Sequence, residues 1–128
     1  MRQFSLLTII TFLICTACNH NAGSMATVKD FIPGTYVKEV KNEYAIACDT
    51  LFIQCTSGNN FLIVNHTAFQ PIRNERLLPV RYTETRMKAL YDETSQNLNE
   101  HRLGKTFSFD PANNRLFAGA HPYYKINN

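Results

Sequence analysis

Thiols and imidazoles give this chain its greatest chemical reach: Cys15, Cys18, Cys48 and Cys55, with His20, His66, His101 and His121. Cys48 or Cys55 beside His66, His101 or His121 would supply the parts of a nucleophile and its base. The spacing does not bring them together. There is no nucleophile-elbow pattern, and no helix start adjoins either thiol to lower its pKa. Neither Cys has a second Cys or a His two to four residues away, so zinc spacing is missing. The paired carboxylates Asp92-Glu93 fall in a polar turn, where solvated charge is the ordinary outcome. The five Gly are dispersed and form no phosphate-cradling loop. Asn65-His66-Thr67 matches a glycosylation triplet by chance. On these grounds the chain reads as non-enzymatic, with no catalytic residues, no metal and no cofactor.

Cys18 stands apart because of what precedes it. Arg2 is followed by the eleven-residue apolar run Phe4–Ile14 and then by the small residues Thr16 and Ala17. Eleven residues of helix cover about 16 Å, roughly half of a hydrocarbon core, so the run is an export signal and not a span. Cys15-Thr16-Ala17-Cys18 resembles the bacterial lipobox, with Cys15 where Leu is commonest. The resemblance implies a diacylglyceryl group on the Cys18 thiol, cleavage after Ala17 and an acylated new amino terminus. Two or three acyl chains anchor firmly, at about 0.8 kcal/mol per buried methylene, where one chain alone is marginal. The alternative is an ordinary secretory signal cut at Ala17 or Ala22, which leaves a soluble product. The division expected is a signal peptide over 1–17, a lipidated Cys with a flexible tether over 18–30, and one folded domain over 31–128. The location expected is the cell envelope, on the periplasmic side of the outer membrane.

The 111 residues from Cys18 onward make one domain. Loss of Arg2 takes the formal net charge from +3 to +2. The remaining Lys and Arg are scattered rather than gathered in a stripe, which argues against nucleic acid. With Cys18 acylated, Cys48 and Cys55 are the two thiols left, and an oxidising envelope invites a disulfide between them. On a single extended strand their Cα atoms would lie about 23 Å apart, against the roughly 7 Å that a bridge tolerates. A bond therefore needs a chain reversal between them, for which Asp49-Thr50 is a weak turn signal. The other reading is two buried thiols.

The elements that must position any site are short and extended. Val28–Ile32 reads as a strand edge or one helical turn before Pro33-Gly34, and Thr35–Val40 as the first strand. Residues 50–56 alternate, with Leu51, Ile53 and Cys55 on one face and Phe52, Gln54 and Thr56 on the other. Ser57-Gly58-Asn59-Asn60 is the clearest turn, so 50–56 and 61–69 form a hairpin. Leu77–Tyr82 and Arg86–Tyr91 read as two further strands, with Pro79 at an edge or bulge and a helix over Glu84–Tyr91 as the rival. Leu98–Arg102, Lys105–Phe109, Arg115–Ala118 and Tyr123–Ile126 complete eight or nine strands. Turns every eight to twelve residues point to an all-β, small antiparallel meander barrel of about eight strands. The six Tyr and nine Phe either fill such a barrel or, in part, line a pocket.

Several segments resemble a known group of proteins. They are Phe31-Ile32-Pro33-Gly34-Thr35-Tyr36, Glu43-Tyr44 with Asp49-Thr50-Leu51, and Gly104-Lys105, Phe109-Asp110-Pro111, Leu116, Gly119 and Tyr124-Lys125-Ile126. Together they resemble small uncharacterised lipoproteins of Bacteroidota-type bacteria, some associated with conjugative elements. The resemblance covers the mature domain and implies a lipocalin-like (calycin-like) barrel with no catalytic residues to carry over. The expected function is a lipid-anchored, non-enzymatic envelope protein. Its partners would be the membrane, through the acyl chains on Cys18, and an envelope protein or small ligand. The alternative is an inhibitor of an envelope-attacking enzyme such as lysozyme, inserting a loop at Asn59, Asn60 or Asp110–Asn114.

Overall fold

A computed structural model describes residues 27–126. The expected export signal, Cys18 and all but the last residues of the expected tether lie outside them. The chain runs α1 (Val28–Phe31), β1 (Gly34–Lys41), β2 (Ala45–Ser57), β3 (Asn60–Arg73), β4 (Arg76–Leu77), β5 (Arg81–Asp92), β6 (Asn97–Glu100), β7 (Thr106–Asp110), a 3-10 turn (Pro111–Asn113), β8 (Arg115–Ala118) and β9 (His121–Ile126). Each of β1, β2, β3, β5, β6, β7, β8 and β9 pairs antiparallel with the next, and β9 pairs back onto β1. The result is a closed eight-stranded meander barrel. Closure removes the free edges wherever neighbouring strands overlap, leaving them only where β1 and β5 outrun β9 and β6.

Local chemistry explains most of the boundaries. Thr27 and Asp30 form a reciprocal capping box, each side chain bonding the other's backbone N–H, and this starts α1. The tether expected over 18–30 therefore ends by Thr27, and Val28–Asp30 belong to the folded part. Gly58, at φ +54°, turns β2 back into β3. Asn74 and Glu75 are both left-handed, at φ 49° and 62°, as a two-residue hairpin turn requires, and they fold β4 onto the end of β3. The strands expected over Leu77–Tyr82 and Arg86–Tyr91 are instead the short β4 and the continuous twelve-residue β5. Pro79 lies between them, outside any ladder, and no helix forms over Glu84–Tyr91.

The disulfide expectation is corrected by register. Cys48 and Cys55 both lie on β2, which runs without reversal from Ala45 to Ser57. Seven residues apart, they differ in parity and face opposite sides of the strand, and both thiols are free. Nor are both buried, since Cys55 is exposed.

Period-two alternation places the core. Tyr36, Leu51, Ile53, Phe61, Ile63, Met87, Ala89, Tyr91, Leu98, Phe107, Leu116 and Tyr123 are buried inside the barrel, with Ile32 stoppering one end. The tyrosines divide: Tyr36, Tyr91 and Tyr123 pack within, whereas Tyr44, Tyr82 and Tyr124 are exposed. At the stoppered end the Tyr36 hydroxyl reaches the carbonyls of Phe31 (3.0 Å) and Ile32 (2.9 Å). Phe31, Tyr36 and Phe109 meet edge to face, with centroids 6.0 to 6.4 Å apart. Lys125 Nζ donates to the Phe31 carbonyl and lies 4.2 Å from the Phe31 ring centroid. Gly34 (φ +148°) leaves room for that lysine: a Cβ there would stand 2.6 Å from Lys125 Cε.

The other end is built differently. β5 pairs with β6 only over Ala89–Asp92, and β9 pairs with β1 only over Thr35–Val37. The far halves of β1, β2, β3 and β5 therefore continue past the shorter strands as a sheet with one face uncovered. Val40, Tyr44, Phe69, Leu77, Val80 and Tyr82 are exposed at this end.

Candidate ligand-binding site

Alternation carries polar residues onto the inner face of that taller sheet. Lys38 has the parity of Tyr36, Asp49 that of Leu51 and Ile53, and Asn65 and Thr67 that of Ile63. The register sets Lys38 opposite Asp49, Asp49 opposite Thr67, and Leu51 opposite Asn65. Barrel closure adds Tyr123 from β9. The Thr67 hydroxyl donates to Asp49 Oδ1 at 2.7 Å, and the Tyr123 hydroxyl to Oδ2 at 3.3 Å. Lys38 Nζ lies 3.5 Å from Oδ2 and 5.0 Å from the Tyr123 ring centroid. Burial, with the Asp49 carboxylate beside it, pushes the Tyr123 hydroxyl up to about 12. Four strands thus converge on one carboxylate whose two oxygens are both engaged.

Next to this cluster is a cavity of about 390 Å³. Leu51, Met87 and Phe107 form its apolar floor, Tyr123 and Ala118 a side, and Lys105, Gly119 and His121 its mouth. Asn65 lines it as well, and its Oδ1 is buried with no hydrogen-bond donor in reach. An acceptor left in that state costs about 1–3 kcal/mol. An apolar hollow with a few converging polar groups is the usual form of a small-molecule site.

The remaining candidates do not assemble. His66 is on the outer face, where its Nε2 meets Glu84 Oε2 at 3.3 Å and its ring packs against Phe52. Cys48 lines the same shallow outer groove, yet no bond joins its thiol to His66 among the described residues. The backbone of β3 beside it is committed on both sides to the β2 and β5 ladders. His101 is in the β6–β7 turn and His121 at the cavity mouth. Asp92 serves its turn: its carboxylate accepts from the N–H of Thr94 and Ser95, which holds it below the usual carboxylate range. Asn65 faces the barrel interior, which takes it out of play as a glycosylation acceptor. Among the described residues no three His, Cys, Asp or Glu side chains gather as metal ligands.

The turns considered for an inhibitory loop are bonded inward. Asn59 Oδ1 accepts from Lys29 Nζ at 2.7 Å and its carbonyl from Tyr91 N–H. Asp110 accepts from Asn113 and Arg115, and Asn114 Nδ2 donates to the Lys125 carbonyl. Both turns border the stoppered end.

Lys38, Asp49, Asn65 and Tyr123 carry no motif. The one sequence signal for them is parity: Asp49 falls on the face of Leu51 and Ile53, where a strand with one buried side should be apolar. Compared with known protein families, with curated proteins and with solved structures, the chain matches none.

Proposed function

We propose that this chain is a lipid-anchored, non-enzymatic binding protein of the cell envelope whose barrel takes a small ligand through its open end. The observation that carries this reading is the hollow beside Asn65, apolar on its floor and holding a buried acceptor that no protein group satisfies. Had Phe and Tyr filled the barrel from end to end, only surface interactions would have been left. Anchoring rests on the leader and the Cys15–Cys18 segment, and the envelope location rests on the same residues. An inhibitor of lysozyme or a similar enzyme has less support, because the two turns that would insert are held by internal hydrogen bonds.

The direct test is native mass spectrometry of the protein purified from envelope membranes. A co-purifying small molecule that is lost when Met87→Trp fills the hollow supports the reading. An empty barrel that also gives no chemical-shift change at Met87 with any of a fragment library rejects it. Intact mass of the same sample tests the anchor, where a mature form without acyl groups on Cys18 refutes it.

A further inference from the structure

Resting on that reading, we infer that the ligand is a small amphipathic acid: an apolar body carrying an N–H or O–H donor for Asn65 and an anionic group held at the mouth by Lys105 and His121. The volume sets the size. At the roughly 30 Å³ that each water takes up in the liquid, 390 Å³ holds about a dozen non-hydrogen atoms. The floor of Leu51, Met87 and Phe107 requires most of that body to be apolar.

Polarity follows from which groups are spent and which are free. Asp49, beside the cavity, accepts from Thr67 and Tyr123 and is paired with Lys38, and the buried Glu100 carboxylate is taken up by the backbone N–H groups of Arg102, Leu103 and Lys105, so neither is left for a ligand cation. Lys38 is in turn committed to Asp49 and the Tyr123 ring. Lys105 and His121 line the mouth without a carboxylate partner among the described residues. The unspent charge is therefore that of Lys105, which suits an anion, with the His121 ring beside it as a further hydrogen-bonding group. Asn65 Oδ1 sets the second requirement. It is buried without a protein donor, and the broad χ2 well of an Asn amide lets it swing into the cavity toward an arriving donor. A ligand donor there satisfies an acceptor for which the protein itself supplies no partner.

Two matched pairs test the class by calorimetry on the unmodified protein. They are 4-hydroxyphenylacetate against phenylacetate, and indole-3-acetate against naphthalene-1-acetate. The donor-bearing member of at least one pair should bind about tenfold more tightly, the ratio worth about 1.4 kcal/mol. Tyramine, the cationic counterpart of the first acid, should bind more weakly than that acid. Asn65→Leu should erase the gap within the pair, and Lys105→Gln should weaken the acids but not tyramine, whose like-charge repulsion it removes. Equal affinities within both pairs, or tyramine binding as well as the acid, overturn the assignment. Ethylbenzene followed at the Met87 methyl separates the two levels. If it binds and the acids do not, the ligand class is wrong and the binding barrel stands; if neither binds, both fall.

Discussion

The two ends of the barrel share strands but not design. At the stoppered end no fully buried side-chain polar atom among the described residues lacks a partner: the Tyr36 hydroxyl holds two carbonyls of the α1 turn, Lys125 closes on Phe31, and Lys29 on Asn59. At the open end an acceptor is stranded, the polar cluster is half-buried, and space remains. Dense packing with satisfied hydrogen bonds secures a fold, whereas a site must keep some groups unfulfilled until a ligand arrives. On the proposed reading, stability belongs to one end of the molecule and ligand binding to the other.

The strongest challenge to that division comes from Ile32, fully buried in the stopper. Ile32→Ala should destabilise the protein by about 2–5 kcal/mol through lost transfer energy and a cavity, read as a fall in the urea midpoint. Ligand affinity, measured on the folded fraction, should stay within about twofold. A large affinity loss would mean that the ends are coupled and the division fails. Tyr36→Phe asks the same question more gently. It strips a donor from two carbonyls and should cost about 1–3 kcal/mol, again without touching the ligand.

Alkaline pH touches both ends at once. Burial raises the hydroxyl pKa of Tyr36, and burial with Asp49 raises that of Tyr123 to about 12. Both exceed the ordinary value of about 10, so the unfolded chain releases these protons first. The stability they contribute is full below pH 10 and drains away as pH climbs toward 12. Urea midpoints taken from pH 8 to 11.5 should fall steadily above pH 10, and Tyr123→Phe should make the fall shallower. An unchanged slope in that variant would show that the open-end cluster has no part in it.

How far the sequence discloses this molecule depends on what each signal measures. The 50–56/61–69 hairpin is legible because Gly58 marks its turn and the apolar alternation runs through both strands. The merging of two expected strands into β5 is not, since Thr83-Glu84-Thr85 looks like a break. That stretch stays extended because β3 pairs with it residue for residue, Asn65 with Thr85, His66 with Glu84 and Thr67 with Thr83, where β5 has already outrun β6. The Cys48–Cys55 pairing fails on parity, which spacing alone already counselled. The site is the least legible part. The Tyr123–Asp49 bond spans 74 residues of sequence and exists only because β9 closes on β1. Asn65 offered nothing but a glycosylation triplet.

The smallest effect separates the ends most sharply, because its sign is opposite. Asn65→Leu replaces a stranded amide with a side chain of similar size facing Leu51 and the apolar floor. Removing an unsatisfied buried acceptor in favour of an apolar group relieves its desolvation cost, so the empty protein should gain about 1 kcal/mol. For a domain of this length that is a rise of roughly 4–8 °C in Tm. The comparable swap at the other end, Tyr36→Phe, must lower Tm, since there the polar atom is fully used. A calorimetric scan of the two variants side by side therefore tests whether the open end trades stability for recognition. A loss of Tm in Asn65→Leu would mean that the amide holds the wall together, and the case for a waiting acceptor would end with it.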